Sequence, residues 1–240
     1  MIYNEDCLEG MKKIADGSVD MILTDLPYGT TDCSFDKKIP FEPMWEQFLR
    51  VCKLNAAIVL FSQLPFGSDL IQSQRKLFRY EWIWEKSLSV GYLNSKKMPL
   101  RCHENILVFY RRLPTYNPQF TRGKPYVATT TSPTKNYGKK ICVTTTSNGR
   151  RYPRDSIKFF NLTNTVHPQQ KPVALLEYLI KTYTNAGEVV LDATMGSGST
   201  GVAAINTGRD FIGFELDAGY YEIAQRRISE ALAKKAQELF

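Results

Sequence analysis

An apolar run from Val19 to Thr24 ends at Asp25-Leu26-Pro27-Tyr28, so one tight turn gathers a carboxylate, a backbone carbonyl and an aromatic ring. That set suits a planar amine. The exocyclic nitrogen of adenine or cytosine is a poor nucleophile because its lone pair is delocalised into the ring, and acceptors for its two N–H bonds draw it toward tetrahedral geometry. Asp25 and the Leu26 carbonyl could be those acceptors. Tyr28 supplies a flat face for a base that has left its duplex, where unstacking costs about a few kcal/mol. A proline-containing turn after a strand is also ordinary punctuation, so the tetrapeptide takes its meaning from what accompanies it.

Its first companion is Gly196-Ser197-Gly198-Ser199-Thr200-Gly201, a G-x-G-x-x-G pattern between an expected strand, Glu188 to Ala193, and an expected helix, Thr200 to Asn206. Glycines let a ligand approach the backbone, and the helix start beyond them presents free N–H groups to an anionic group. Glu215, closing the next strand, is placed to bond a ribose diol. A nicotinamide dinucleotide and S-adenosylmethionine both meet these conditions. Hydride transfer, however, has no use for an amine-accepting turn or for the basic segment that follows.

That segment holds 11 Lys and Arg between positions 111 and 158 against the single acid Asp155, whereas the whole chain of 240 residues carries a formal charge of +7. The rest of the chain is therefore slightly acidic. Arg111, Arg112, Arg122, Lys124, Lys135, Lys139, Lys140, Arg150, Arg151 and Arg154 are the candidate contacts to a polyanion, interleaved with Tyr116, Tyr126, Tyr137 and Tyr152. The five cysteines (7, 33, 52, 102, 142) are scattered and odd in number, which reads as reduced thiols. With only His103 and His167 in the chain and no clustered spacing, no metal centre is expected. Neither a signal peptide nor a membrane-length apolar run is seen, and the chain reads as cytoplasmic.

The elements that must position these groups alternate. Short strands at Met1 to Asn4, Val19 to Thr24 and Ala56 to Phe61 are separated by helices near Leu8 to Ile14 and Phe41 to Cys52, and a further helix is expected near Gly67 to Lys76. This is the pattern of a parallel sheet. Tyr80 to Trp84 and Asn105 to Tyr110 read as an antiparallel pair at one end of it. Residues 111 to 165 break the alternation with Thr runs, Pro and Gly, and read as an inserted recognition region. Pro172 then opens a helix running to Tyr183, and a strand from Phe211 to Glu215 precedes a terminal helix whose Arg226, Arg227, Lys234 and Lys235 read as its wet side.

Taken together, the Asp25 tetrapeptide, Asp6 after the first strand, Arg101-Cys102-His103-Glu104, His167-Pro168-Gln169-Gln170-Lys171-Pro172, Asp192-Ala193-Thr194-Met195-Gly196-Ser197-Gly198 and Glu215 resemble the amino-group DNA methyltransferases. The resemblance is to the group whose catalytic motif precedes the recognition region and whose cofactor motif comes last. It spans nearly the full chain and implies an α/β fold of circularly permuted Rossmann-like type, with one mostly parallel sheet completed by the C-terminal strands. Residues 1–110 would be the catalytic part, 111–165 the target-recognition insertion and 166–240 the cofactor part. The implied reaction is methyl transfer from S-adenosylmethionine to the N6 of adenine in double-stranded DNA by base flipping.

By the same resemblance Asp6 would lie near the cofactor adenine and Glu215 at its ribose, with Asp192 and the turn Thr194, Met195, Gly196, Ser197, Gly198, Ser199, Thr200 beside its methionine part. Asp25, His167 and Lys171 would border that pocket. His103 reads as structural, and His167 equally suits a simple approach to a helix. The loop Gly29 to Pro40 is a candidate to close over the base. Three positions depart from the family pattern: Leu26 stands where Pro is commoner, Ala193-Thr194 replaces Pro-Phe, and Gln169 stands where Thr is usual. N4 of cytosine presents the same chemistry as adenine N6. A protein-glutamine methyltransferase and a DNA-binding protein without turnover are the further alternatives. A homodimer and a separately acting restriction nuclease are compatible partners.

Overall fold

Buried residues of the central strands alternate between two sets, as the two-residue period of a strand dictates when both faces of a sheet are covered. In the computed structural model, which describes residues 1–29, 37–130, 143–161 and 170–237, Ile58 and Leu60 point into one apolar layer while Ala57, Val59 and Phe61 point into the other. Leu107 and Phe109 join the first layer, Ile106 and Val108 the second.

The chain forms two compact units, Met1–Asn117 with Asp155–Phe240, and Pro118–Arg154. In chain order the elements are β1 (Ile2–Tyr3), α1 (Cys7–Met11), β2 (Val19–Thr24), α2 (Phe41–Val51), β3 (Cys52–Ser62), α3 (Phe66–Ser73), β4 (Phe78–Val90), β5 (Arg101–Phe109), β6 (Thr121–Arg122), β7 (Tyr126–Thr130), β8 (Val143–Ser147), β9 (Arg150–Arg151), β10 (Ser156–Phe159), α4 (Val173–Tyr183), β11 (Val189–Asp192), α5 (Ser199–Asn206), β12 (Asp210–Phe214) and α6 (Ala218–Gln237). The main unit holds an eight-stranded sheet of order β1-β12-β11-β2-β3-β5-β4-β10. Only β5 runs against its neighbours. The C-terminal strands β11 and β12 lie between β1 and β2, as the resemblance implies.

Helices cover both faces. On one side α2 buries Met44, Trp45, Phe48 and Val51, a stripe at helical spacing, beside Met11 of α1 and Leu70 of α3. On the other, Leu175, Leu176, Leu179 and Ile180 of α4 pack with Ala203 and Ala204 of α5 and Ala224 and Ile228 of α6. No helix among the described residues is long and apolar enough to cross a membrane.

Two differences from the sequence reading have physical causes. β4 and β5 extend well beyond the expected short pair, because their ends past the apolar core are held by paired backbone rather than by burial. β10 was hidden inside the expected insertion: its Ser-Ile-Lys-Phe contains one buried side chain, Ile157, yet it adds to the sheet edge parallel to β4. Residues 111–117 and 155–161 thus belong to the main unit, and the smaller one spans 118–154. There β6 pairs with β9, while the Thr runs form an antiparallel ladder, β7 with β8, in which the Thr129 and Thr144 hydroxyls meet at 3.1 Å.

The glycines of the turn before α5 are used differently. Gly198 has φ +79°, and a Cβ there would lie 2.9 Å from the Ala224 Cβ of α6. At Gly201 a Cβ would meet the Ile228 side chain at 2.5 Å. Gly198→Ala combines a left-handed backbone with overpacking and is expected to destabilise the protein by about 2–4 kcal/mol, read as a lowered urea midpoint at unchanged slope.

Candidate active site

Parallel strands end at the same edge of a sheet, so β2 and β11, neighbours in register (Val190 with Met21, Leu191 with Ile22), deliver Asp25 and Asp192 side by side. A cavity of about 510 Å³ opens there. The carboxylates of Asp25, Asp192 and Glu215 line it together with Asp6, Thr194, Met195, Gly196 and Ser197. Ser199, Thr200 and Lys171 line it as well.

Asp25 is held from two sides. Its Oδ1 accepts from the Tyr28 hydroxyl at 2.9 Å, and its Oδ2 accepts from the Lys171 ammonium at 2.5 Å. Burial pushes the Asp25 carboxyl above the ordinary carboxylate range, against the pull of Lys171. Burial acts to lower the Lys171 ammonium, but the charges of Asp25 and Glu104 outweigh it and hold it above its usual value. Leu26 is buried, Pro27 faces the cavity, and the Tyr28 ring stacks on Phe66 with centroids 4.8 Å apart.

Thr194 joins the two loops. Its hydroxyl donates to the Asp25 carbonyl at 2.9 Å and lies 2.9 Å from that of Thr24, while its N–H donates to Asp192 Oδ1 at 3.1 Å. At the position that departs from Pro-Phe, Thr194 thus forms a hydrogen-bonded brace between the turn and the Asp25 corner. Asp192 is 3 % exposed, and burial raises its carboxyl to about 6 despite the hydroxyls of Thr200 and Thr24.

Asp6 caps α1, its Oδ1 accepting from the N–H groups of Leu8 and Glu9 at 2.8 and 3.2 Å. Glu215 ties the turn to the loop after β12, accepting from Gly196 N–H and Asp217 N–H, each at 2.9 Å. Burial lifts its carboxyl above the usual range. Gly198 is the member of the turn that faces α6 rather than the cavity. His167 lies outside the described residues.

Sequence reasoning missed three side chains. Arg227 is not on the wet side of α6: its guanidinium donates to the Ser197 hydroxyl at 2.9 Å and the Ser199 hydroxyl at 3.2 Å, bracing the turn from behind. Burial lowers its pKa. Glu104 and Lys86 form a buried pair at 2.5 Å, with Lys171 3.4 Å from the other Glu104 oxygen. An acid opening an apolar strand was the visible signal for Glu104. For Arg227 there was none, since its partner lies 30 residues earlier.

Of the basic candidates, Arg111 spends its guanidinium on the carbonyls of Cys52 and Lys53, and the N–H of Arg112 donates to the Leu54 carbonyl. This is the end of β3 opposite the Asp25 edge; Arg111, its guanidinium occupied, leaves the expected set of contacts, while Arg112 is exposed there. In the smaller unit Arg122, Lys124, Arg150 and Arg154 are exposed. Arg151 is a clamp instead, donating to the Ser147 hydroxyl at 2.7 Å and lying 4.7 Å over Tyr126. Arg150 stacks 3.8 Å over Phe120. Lys135, Lys139 and Lys140 lie outside the described residues, as does most of the expected closing loop, residues 30–36.

A family model described as DNA methylase matches residues 19–226. The chain belongs to the N6/N4 DNA methylase family. It is 28 % identical over 266 residues to the DNA adenine methyltransferase YhdJ of Escherichia coli, covering 99 % of this chain and 85 % of that protein. The type II methyltransferase M.HpaI of Haemophilus parainfluenzae is 26 % identical over 93 % of this chain and 72 % of its own length. Among solved structures, the M1.HpyAVI–SAM complex shares the fold with a TM-score of 0.65 at 24 % identity, covering 95 % of this chain and 98 % of that one.

Because Asp192 keeps its proton up to about pH 6 when folded but only to the ordinary carboxylate range when unfolded, it favours the folded state at low pH. Stability is expected to decline by on the order of 3 kcal/mol between roughly pH 4 and pH 6, and Asp192→Asn is expected to flatten that decline in urea titrations across this range.

Proposed function

We propose that this family member transfers methyl from S-adenosylmethionine to the exocyclic N6 of adenine in double-stranded DNA, with the target base turned out of the helix. The observation that carries the reading is that the Asp25 corner and the glycine turn open on one cavity. An amine acceptor and a nucleoside-sized cradle are useful together only if a group passes between them.

The lining also distinguishes the cofactor. Glu5, Asp6, Asp25, Asp192, Glu215 and Asp217 bring six carboxylates, against Lys37, Lys38 and Lys171. Lys171 is paired with Asp25 and Glu5 with Lys13, and Lys38 sits 3.8 Å from Asp69, so Asp6, Asp192, Glu215 and Asp217 keep the lining acidic. An acidic cavity repels the pyrophosphate of a nicotinamide dinucleotide and attracts a sulfonium that also bears an ammonium. When bound, S-adenosylmethionine supplies a methyl carbon made electrophilic by that sulfonium. Glu215 would hold the ribose hydroxyls, and Asp192 with the turn the methionine part.

Asp25 and the Leu26 carbonyl would accept the two N–H bonds of the base, and Tyr28 would offer its ring as a stacking face. As the new N–C bond forms and the S–CH3 bond breaks to leave a neutral thioether, positive charge grows on the nitrogen, where a carboxylate and an aromatic face both lower the barrier. One proton then passes from the nitrogen to solvent. Adenine is favoured by Asp25 at the head of the tetrapeptide, since cytosine-directed members of the family that the sequence resembles usually carry Ser there. Exposed Arg122, Lys124, Arg150 and Arg154 support a polyanionic substrate over a protein amide.

Incubation with methyl-labelled S-adenosylmethionine and unmethylated duplex DNA is expected to label the DNA, with N6-methyladenine in the nucleoside digest. Asp25→Ala is expected to lose at least about a hundredfold in rate. N4-methylcytosine in the digest would transfer the assignment to the other base, and equal labelling by the variant would remove Asp25 from the mechanism.

A further inference from the structure

Lys171 borders the cavity, and its ammonium sits between two carboxylates and a ring on the protein side. It contacts Asp25 Oδ2 at 2.5 Å and Glu104 Oε2 at 3.4 Å, and lies 5.0 Å from the centre of the Phe61 ring. The contact to Asp25 is a hydrogen bond, while the Glu104 carboxylate and the Phe61 ring act on the ammonium through charge and ring quadrupole. Glu104 in turn is gripped at its other oxygen by Lys86 at 2.5 Å, and Lys86 lies 5.1 Å from the Trp84 ring.

The four side chains form an alternating row, Asp25, Lys171, Glu104, Lys86, each between 9 % and 17 % exposed. They come from four separate places: the β2 corner, the approach to α4, β5 and β4. Neither Glu104 nor Lys86 lines the cavity. Burying four charges is costly, and a row that neutralises itself in pairs is the arrangement that tolerates it. A lysine kept merely to bind a cofactor carboxylate would not need two anions and a ring around it.

We infer that Lys171, seated by Glu104 and Lys86, is a positioning residue for methyl transfer: it acts through Asp25, orienting its carboxylate, rather than by contact with the cofactor. This rests on the reading of Asp25 as the amine acceptor. The row also sets the charge of Asp25. The groups facing Asp25 are Tyr28 on its own corner, Lys171 before α4, Glu104 on β5 and Asp192 at the end of β11, with Lys86 of β4 behind Glu104. Lys171 favours the ionised carboxylate, while Glu104 and Asp192 oppose it.

Removing Lys171 leaves Asp25 facing two acids, and removing the Glu104 charge leaves Lys171 to Asp25 alone. The acid limb of kcat/KM is therefore expected to move to higher pH in Lys171→Met and to lower pH in Glu104→Gln. Lys171→Met is expected to lose at least about tenfold in kcat at pH 7, and the double variant Lys171→Met with Glu104→Gln to recover a substantial part of that loss. S-adenosylmethionine affinity, measured by calorimetry, is expected to stay within about threefold of the parent protein for all three.

A double variant as slow as or slower than Lys171→Met overturns the inference, as does a loss of cofactor affinity that accounts for the Lys171→Met defect. Should Lys171→Met fail to fold, the near-isosteric Glu104→Gln decides alone: an unmoved or raised acid limb overturns the inference. Each of these results is compatible with a parent protein that methylates DNA, whereas absence of methylation by the parent itself overturns the functional reading instead.

Discussion

The parallel pairing of β2 with β11 is the constraint on which the site depends. It places the ends of two strands, some 170 residues apart in sequence, at one edge of the sheet, where Asp25 and Asp192 face the same cavity and Thr194 bridges the loops that follow them. The other contributions come from the elements packed around those two ends. Asp6 caps its own helix, Glu215 ties its own turn, and Arg227 braces the serines beside the glycines.

Electrostatics and packing pull in opposite directions at this edge. Burial penalises the ionised forms of Asp25, Asp192 and Glu215 alike, yet their partners differ. Asp25 has a full cation against it, whereas Asp192 and Glu215 are held by hydroxyl and amide dipoles. Of these three carboxylates, one is compensated by a cation and two only by dipoles. That asymmetry matches a ligand that is itself positive.

The sequence made the central part of this picture readable. β2 is bounded by Val19 and Thr24 in both the pattern and the structure, and α4 ends at Tyr183 in both, because long apolar periodicity and clear caps coincide there. The glycine turn and its acids were legible because backbone conformation and strand ends leave a local signature. What escaped was set by distant contacts. β10 is an edge strand with little to bury, Arg227 looks like any solvated helix residue, and Arg111 looks like a phosphate ligand until Cys52 and Lys53 present their carbonyls. Glu104 could be seen as odd within an apolar strand, but its partner Lys171 is supplied only by the tertiary fold.

The position of β12 beside β1 has a consequence for biosynthesis. Met1 donates its ammonium to the Phe211 carbonyl at 2.5 Å, and Ile2 and Tyr3 pair with Gly213 and Phe214. A ribosome that has released β2 and β3 has exposed β2 with one flank bare, and the missing neighbour, β11, begins only at Val189. Such distant pairing slows folding. It also means that a chain cut short before β11 holds the Asp25 corner without the glycine cradle opposite it.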